Sequence, residues 1–345
     1  MYSRISDSLS AKITNLNFFC ALLVVLIHVK WMHSGAGACW FVDSFLAKGF
    51  ALIAVPCFFF CSGYFLAGHV QEGKWWRSEL LKRVKSLLIP FLLWNFIAFA
   101  LTSAPLGLVS DYLAHRDFGT SVALSDNRWI ATWGFDFSDV PCLGPLWYVR
   151  ALLVFVCLSP LLKFVLDYLH WLGLFIIVGS CAVCYSLGVT HGPLGGFFHY
   201  GFSLLGMIFF ATGFYVRTRS IAFHSRTVAV ACWVIGTVAL LVKVYFHQYA
   251  DVADIVFIPS FMYGVWYFMP SSRAPYQFVA WSFPLYLIHR LILPYFATVL
   301  KNVGWGSCFL ALVSEYVISV ILSLGVAFVL KVKFPKVSTI LFGGR

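Results

Sequence analysis

Charged side chains are scarce in this sequence, and their scarcity is the first constraint on its fold. Of 345 residues, only 11% are Asp, Glu, Lys or Arg, whereas 61% are hydrophobic. A soluble globular chain carries about a quarter charged residues, so this composition excludes an ordinary soluble domain. It predicts an all-α fold, a polytopic membrane helical bundle embedded in the lipid bilayer.

Acidic residues are the scarcer of the two charge types, with 13 against 24 basic residues and a formal net charge of +11. In a soluble protein, such an excess of positive charge would suggest a nucleic-acid partner. In a membrane chain, basic residues line cytoplasmic loops and contact anionic lipid headgroups. The lipid bilayer is therefore a predicted partner, and nucleic acid is not.

Signal-peptide and metal-site patterns are also missing. No small-residue cleavage pattern follows the first apolar run, which begins near Ile13, so that run is predicted to be a permanent helix. The ten cysteines form no metal-ligand framework, and Cys181 and Cys184 lie in an apolar run as buried, inert thiols would. No metal is predicted. Cys39 and Cys142 fall in predicted external loops, where a disulfide between them stays open.

What the sequence does have is long apolar stretches of about 20 residues, the length that a bilayer-spanning helix requires. Their connections leave no room for a second globular domain, so a single membrane-embedded domain over residues 1–345 is predicted. About ten transmembrane helices are expected, roughly at 14–32, 46–67, 86–108, 146–166, 170–189, 197–216, 227–247, 253–270, 278–300 and 307–330.

The basic residues are distributed unequally between alternate connections. If the N-terminus is cytoplasmic, cytoplasmic segments hold 16 of the 24 basic residues and external loops hold 4. Because cytoplasmic loops carry the excess of Lys and Arg in membrane proteins, this favours an N-in/C-in topology.

Two connections between the spans have distinctive compositions. In the cytoplasmic connection, about 69–85, apolar residues recur at helical spacing with Lys82, Arg83 and Lys85 among them. This predicts an interfacial helix, either a lipid anchor or a basic platform for a phosphorylated ligand. The long external loop, about 109–145, mixes carboxylates with aromatic residues. That mixture suits a sugar-like acceptor and equally an ordinary solvated loop.

A single histidine, His28, stands in the otherwise apolar stretch "ALLVVLIHVKW". Asn17 precedes it by eleven residues, almost three helical turns, so the two side chains share a helix face about 16 Å apart along the axis. A histidine near a helix end can be a group that snorkels to the interface. Alternatively, it is a general base inside the bundle, since imidazole titrates near neutral pH.

Two further stretches place polar residues or helix breakers inside apolar segments. In "VPCFFFCSGYFLAG" (55–68), Pro56 and the pair Ser62-Gly63 predict a bent helix. In "GPLWYVRALLVFVCLSPLL" (144–162), Trp147 and Arg150 lie in the first turn or so of a span. Arg150 is either a buried guanidinium that needs an acceptor or a snorkelling surface residue.

Polar side chains also occur in the last two apolar segments. In "SFPLYLIHR" (282–290), Ser282, Tyr286 and His289 share one helical stripe and offer a hydroxyl, a phenol and an imidazole to the bundle interior. Glu315, in the last span, is a possible acidic partner for His28, His289 or Arg150. Which of these pairs forms is left open by the sequence.

Together these segments resemble the acyltransferase 3 family of integral membrane acyltransferases. The motifs "LLVVLIH", "VPCFFFCSGYFL", "KRVKSLLIPFLLWN" (82–95), "LWYVRALLVFVCLSPLL" and "SFPLYLIH" occur in the order seen in that family, over residues 13–330. The resemblance implies transfer of an acyl group, usually acetyl, from cytoplasmic acyl-CoA to a hydroxyl, usually on a sugar of an envelope glycan. It also implies a multi-pass protein of the cell (inner) membrane of a bacterium.

The resemblance assigns a catalytic role to His28, which matches the essential histidine of the family's first helix. His28 would act as general base or transient acyl carrier. Arg150 or Tyr286 would stabilise the oxyanion, with His289 and Glu315 as further catalytic candidates. The remaining candidates would bind acyl-CoA, with acetyl-CoA as the expected donor: Asn17, Ser62, Lys82, Arg83, Lys85 and Trp147.

One position departs from the family pattern. Many members carry a basic residue eleven positions before the histidine, where this chain has Asn17. Either another cation substitutes or the donor is held differently. Two rival interpretations stay open: a multi-pass transporter of a polar or glycan-type substrate, although no internal repeat is evident, and a structural subunit without activity.

Overall fold

The structure, a computed structural model, describes residues 6–29, 37–69, 75–102, 137, 140–223, 225–302 and 309–344. Regular structure in these ranges is helical and includes no strand, which confirms the all-α prediction. The α-helices are α1 (Asp7–His28), α2 (Ala38–Phe41), α3 (Ala54–Gly68), α4 (Trp75–Arg83), α5 (Ile89–Thr102), α6 (Trp147–Ser186), α7 (Leu204–Thr218), α8 (Arg226–Tyr245), α9 (Ala250–Phe268), α10 (Ser282–Asn302), α11 (Phe309–Lys333) and α12 (Pro335–Leu341).

Short segments of tighter or wider helix extend or connect these α-helices. The π-helical segments are Val42–Ala47, Val84–Leu88 and Phe197–Gly201. The 3₁₀ segments are Phe50–Ile53, Gly144–Leu146, Val189–His191, His247–Tyr249 and Gln277–Trp281.

The predicted spans fall on these helices wherever the structure describes them. Stretches long and apolar enough to cross a membrane are, among the described residues, Asp7–His28, Ala38–Gly68, Trp75–Leu101, Gly144–Ser186, Phe197–Thr218, Arg226–Tyr245 and Phe309–Lys333. The chain is therefore a multi-pass helical membrane protein. Ten crossings and the N-in/C-in topology stay predictions, because α9 and α10 are outside this set and two predicted spans share α6.

The connection between those two spans is a single residue. Helix α6 runs from Trp147 to Ser186, but His170 inside it has φ 51° and ψ −127°, far from helical values. Two helical segments are thus joined at His170 without a loop.

The chain divides into two compact units. Unit 1 comprises Met1–Glu79, Leu158–Val189 and Leu204–Ser282, and unit 2 comprises Leu80–Cys157, Thr190–Ser203 and Phe283–Arg345. The prediction of one membrane-embedded domain over the whole chain stays a prediction.

Unit 1 is built around a close crossing of α3 and α7. A Cβ atom added to Gly63 would lie 2.1 Å from the carbonyl oxygen of Phe210, and one added to Gly213 would lie 2.1 Å from that of Phe60. Only glycine permits this reciprocal backbone approach, which is typical of close helix pairs in membranes. The bend expected in α3 stays a prediction. The helix is continuous from Ala54 to Gly68, and Pro56 lies in its first turn, where no N–H is needed.

Unit 1 also contains two ion pairs between lysine and a buried aspartate. The Nζ atom of Lys243 lies 2.6 Å from Oδ1 of Asp254, linking α8 to α9, and the hydroxyl of Tyr185 donates to Oδ2 of Asp254 at 3.3 Å. Lys48 lies 2.7 Å from Asp43. Burying a carboxylate is costly without such a partner, so each lysine offsets the cost of burying its aspartate.

Unit 2 packs through polar side chains as well as apolar ones. Asn95 in α5 is fully buried; its amide donates to the carbonyl of Phe91 and accepts from the N–H of Leu143. The indole of Trp94 donates to the carbonyl of Leu341 at 2.9 Å, which fastens α12 to α5. These hydrogen bonds satisfy buried polar groups for which the lipid hydrocarbon offers no hydrogen-bond partner.

Two predicted segments lie only partly within the described residues. The long external loop, about 109–145, lies mostly outside them, and so do residues 70–74 of the predicted interfacial helix. From Trp75 onward that helix continues without a break into α5. Cys39 and Cys142 are both buried free thiols, so the disulfide between them is not formed.

Candidate functional site

His28 is the last residue of α1, and its ring is fixed by its own helix. The Nδ1 atom lies 2.7 Å from the carbonyl oxygen of Val24, one turn earlier. Since a carbonyl only accepts, Nδ1 carries the proton in neutral His28, and the lone pair lies on Nε2. The geometry thus presents the form of imidazole that can accept a proton at Nε2.

Asn17 lies on the same uninterrupted helix, eleven residues before His28, as predicted. Its side-chain oxygen Oδ1 is buried and has no hydrogen-bond partner among the described residues. Its neighbour Asn15 is engaged differently, donating to the carbonyls of Pro270 and Ser272 at 3.0 Å each. Asn17 therefore offers an acceptor that a bound donor group could satisfy.

In unit 2, α10 brings Tyr286 and His289 together in the interior. Both are buried, at 3% and 0% exposure, and their ring centroids are 6.3 Å apart. His289 has the same fixed tautomer as His28, because its Nδ1 lies 3.1 Å from the carbonyl of Leu285. The hydroxyl of Tyr286 donates to the carbonyl of Pro145, at the start of the segment that leads into α6.

Arg150, one turn into α6, is buried at 3% exposure, so the snorkelling interpretation is wrong. Its Nη2 lies 3.5 Å from the carbonyl of Tyr200, and its guanidinium lies 5.3 Å from the ring centroid of Phe137. The positive charge is thus held inside unit 2, where the dielectric is low and its field is strong.

A second aromatic group surrounds the start of α6. Trp147 stacks on His199 with ring centroids 5.8 Å apart and an interplanar angle of 19°, and Tyr200 packs edge-on at 6.0 Å from Trp147. His199 is exposed on a π-helical segment. His199 and Tyr200 are not predicted from the sequence, because the local signal is limited to two polar rings within the aromatic run "FFHYGF".

Glu315 is buried on α11, at 5% exposure. Ser319 and Ser323 follow at successive turns on the same stripe and are fully buried, whereas the opposite face of α11 exposes Ile321 and Val329. The helix therefore turns its polar stripe inward and its apolar face outward, as expected for a helix that faces lipid.

The remaining binding candidates differ in exposure. Lys82 and Lys85 are exposed, whereas Arg83, Ser62 and Trp147 are partly buried.

Three of the candidates, His28, Asn17 and Ser62, belong to unit 1. The others belong to unit 2, where the structure brings Tyr286 and His289 together with Tyr148, whose ring lies 6.0 Å from that of Tyr286. Within the described ranges, no group of three His, Cys, Asp or Glu side chains is arranged to hold a metal ion.

The fold and these residues define a class: a multi-pass helical membrane protein with imidazole, guanidinium and carboxylate groups in its interior. A family model described as an acyltransferase domain, acyltransferase 3, matches residues 11–332. The chain belongs to this family, as its motifs indicated.

One curated protein illustrates the similarity. The chain is 26% identical over 164 residues to the succinoglycan biosynthesis protein ExoH of Rhizobium meliloti (strain 1021). That match covers 45% of this chain and 42% of ExoH, so it spans less than half of the relative's length. No solved structure matches the chain.

Proposed function

We propose that this protein transfers acetyl, or another short acyl group, from cytoplasmic acyl-CoA to a hydroxyl of an envelope or exported glycan. The observation that carries the proposal is the geometry of His28, whose Nδ1–H is fixed by the carbonyl of Val24 while Nε2 keeps its lone pair. The glycan acceptor is supported by ExoH, which is named for succinoglycan biosynthesis. Membership of the acyltransferase family supports the reaction class.

In the proposed reaction, Nε2 of His28 removes the proton of the acceptor hydroxyl while its oxygen attacks the thioester carbonyl. The new C–O bond forms, the C–S bond breaks, and the proton passes from His28 to the departing CoA thiolate. Alternatively, Nε2 attacks the thioester first and CoA leaves as its thiolate. The acceptor hydroxyl then attacks the acyl group, the bond between Nε2 and the acyl carbon breaks, and the hydroxyl proton passes to the thiolate. Both routes need the tautomer in which Nδ1 carries the proton.

The buried groups of unit 2 would supply electrostatics. Arg150 would stabilise the oxyanion through its positive charge, since a buried guanidinium acts strongly at low dielectric. Tyr286 is less suited to this task than predicted, because its hydroxyl already donates to the carbonyl of Pro145. His289 and Glu315 would tune this environment rather than attack the substrate.

The donor would be held from the cytoplasmic side in the N-in/C-in topology. Lys82, Arg83 and Lys85 would contact the CoA phosphates. Asn17 would accept a hydrogen bond from an amide N–H of the pantetheine arm, because its buried Oδ1 has no partner among the described residues. This gives Asn17 a role that needs no positive charge. Ser62 would be a further contact of the donor.

Trp147 is better assigned to the acceptor than to acyl-CoA. In the proposed topology, α6 begins on the external side, away from the cytoplasmic donor. Trp147 and the exposed ring of His199 form a stacked aromatic surface there, which suits the face of a sugar ring. We therefore assign this pair to the glycan.

The test is transfer of radiolabelled acetyl from acetyl-CoA by purified protein in nanodiscs, with envelope extract as acceptor. His28→Ala should abolish transfer, a loss of at least about 100-fold, because the base is removed. The matched control is His69→Ala, since Nδ1 of His69 makes the same kind of bond to the carbonyl of Phe65, at 2.8 Å, but His69 lies at the end of α3. Equal turnover by His28→Ala and wild type would remove His28 from the mechanism. No release of CoA by any variant would favour the transporter or the inactive subunit.

A further inference from the structure

Unit 1 contains an apolar cavity of about 220 Å³ that no step of acyl transfer uses. Four helices line it, α1 through Leu16, α3 through Phe60, α7 through Phe209, and α9 through Pro259 and Met262, together with Phe223 from the connection between α7 and α8. The cavity lies within unit 1, and residues of both α3 and α7, the two helices that cross closely, line it.

The cavity is unsuited to water. Thr212 lines it, but its hydroxyl donates to the carbonyl of Ile208 at 2.7 Å, inside its own helix. Aromatic and aliphatic side chains make up most of the remaining wall. Cavities with such walls stay dry and bind apolar molecules, and an empty one forfeits the packing contacts of its lining.

A hydrocarbon chain can reach the cavity from the side. Pro259 is exposed on α9, as is Val256 one turn earlier. In a membrane protein, exposed apolar residues on a helix face the lipid chains. The wall at Pro259 therefore borders the protein surface, and a hydrocarbon chain would enter the cavity from this side.

Positive charge lies at one end of the cavity. Lys12 precedes Leu16 by one turn of α1, and its Nζ lies 5.1 Å from the ring centroid of Trp266, which also lines the cavity. Exposed Arg273 follows the segment whose carbonyls, at Pro270 and Ser272, receive the amide of Asn15. Lys12 and the segment that leads into Arg273 thus lie at the same end of α1.

We propose that this cavity binds a hydrocarbon chain of an anionic phospholipid, with the phosphate at Lys12 and Arg273. One helical turn, about 5.4 Å, separates Lys12 from Leu16. A phospholipid carries its phosphate close to its chains, whereas the pantetheine arm of acyl-CoA separates phosphate from acyl group by a much longer distance. The short spacing therefore fits a lipid and not the donor. Basic pockets between helices on the cytoplasmic side are typical sites for anionic headgroups.

The lipid would act as a structural part of unit 1, and the proposal holds whether or not the acyltransferase assay succeeds. Its test is the lipid retained by the protein after release from nanodiscs of equal phosphatidylglycerol and phosphatidylcholine, measured by native mass spectrometry. Wild type should retain phosphatidylglycerol preferentially. Met262→Trp, which fills the cavity, should lose this lipid, whereas Ile321→Trp, on the exposed face of α11 in unit 2, should keep it.

A second variant tests the headgroup without altering the cavity. Lys12→Gln should lower the preference for phosphatidylglycerol by about fivefold, because one basic residue near an anionic headgroup contributes about that factor. Lys333→Gln, which removes an exposed lysine at the end of α11, should leave the preference unchanged. Equal retention of both lipids by wild type, or unchanged retention by Met262→Trp, would overturn the proposal. Displacement of the bound lipid by palmitoyl-CoA would instead assign the cavity to the donor and would also overturn it.

Discussion

The two units bury polar groups in different ways. In unit 1, the buried carboxylates Asp43 and Asp254 each have a lysine within 2.7 Å, and the closest helix pair meets through glycine backbone. In unit 2, the buried polar residues Arg150, His289 and Glu315 lie on three different helices, α6, α10 and α11. Buried polar groups in membrane helices are costly and are retained mainly for function.

Packing in unit 1 combines close backbone approach with polar contacts between helices. Helices α3 and α7 meet at Gly63 and Gly213, and the guanidinium of Arg217 on α7 donates to the hydroxyl of Tyr64 on α3 at 3.3 Å. Neither Arg217 nor Tyr64 is a candidate for catalysis or donor binding, so this helix pair is held by residues outside the proposed chemistry. His28, Asn17 and Ser62 are the candidates for chemistry that lie in unit 1.

The largest effect is expected from a substitution that disrupts the packing of unit 1. Gly63→Leu should abolish the folded protein, because even a Cβ would meet the carbonyl of Phe210 at 2.1 Å and backbone cannot yield easily. Gly179→Leu is the control, since nothing lies within 4 Å of the corresponding Cβ. Size-exclusion chromatography of detergent-solubilised protein measures the outcome. A monodisperse Gly63→Leu peak would show that the crossing tolerates a side chain.

The next effect concerns the ion pair of unit 1. Asp254→Asn should lower the free energy of unfolding by about 3 kcal/mol, because Lys243 is left with an unpaired charge in a mostly buried position. The double variant Lys243→Met, Asp254→Leu should recover most of that loss. Thermal unfolding measures both, and acyl transfer at a permissive temperature should be normal in each. Loss of acyl transfer in the stable double variant would show that the Lys243–Asp254 pair contributes to catalysis as well as to packing.

In unit 2, substitution of Arg150 is expected to impair acyl transfer rather than packing. Arg150→Ala should lower transfer about 100-fold, the loss typical of one removed oxyanion-stabilising group. Arg150→Lys should recover part of it, since it restores positive charge without the planar guanidinium. Arg219→Ala, which removes an exposed arginine, is the control. Normal transfer by folded Arg150→Ala would exclude Arg150 from the mechanism and leave it a role in holding Tyr200.

The smallest effect concerns the basic residues at the end of α4. Lys82→Ala with Lys85→Ala should raise the KM for acetyl-CoA about three- to tenfold at unchanged kcat, because exposed cations bind phosphates weakly and are screened by salt. The difference from wild type should shrink as ionic strength rises. A change in kcat at constant KM would contradict a donor-binding role.

Much of the fold follows from composition, since hydrocarbon admits only helices here and apolar length locates them. The exceptions arise from single positions. The sequence does not reveal that Pro56 falls in a first turn, or that Gly63 meets the backbone of another helix, because both depend on where α3 begins and what packs against it. Similarly, the connection at His170 needs one unusual residue and no turn motif.

The candidate site was predictable only where one helix carries it. The shared helix of Asn17 and His28 follows from spacing, and so does the pairing of Tyr286 with His289. The burial of Arg150 does not, because the same position is compatible with snorkelling until its neighbours are known. The stack of His199 on Trp147 joins segments about fifty residues apart, and no local pattern encodes it.

The length of helix α1 also limits which acyl donors can reach His28. Its 22 residues run without interruption from Asp7 to His28, so the helix is about 33 Å long. In the proposed topology, an acyl group that enters at the cytoplasmic end must travel most of that length before it meets the imidazole. A donor with a long flexible arm can deliver it while its phosphates stay at the surface, whereas a compact donor such as an acyl phosphate cannot. The length of one helix would then discriminate between donors that carry the same acyl group.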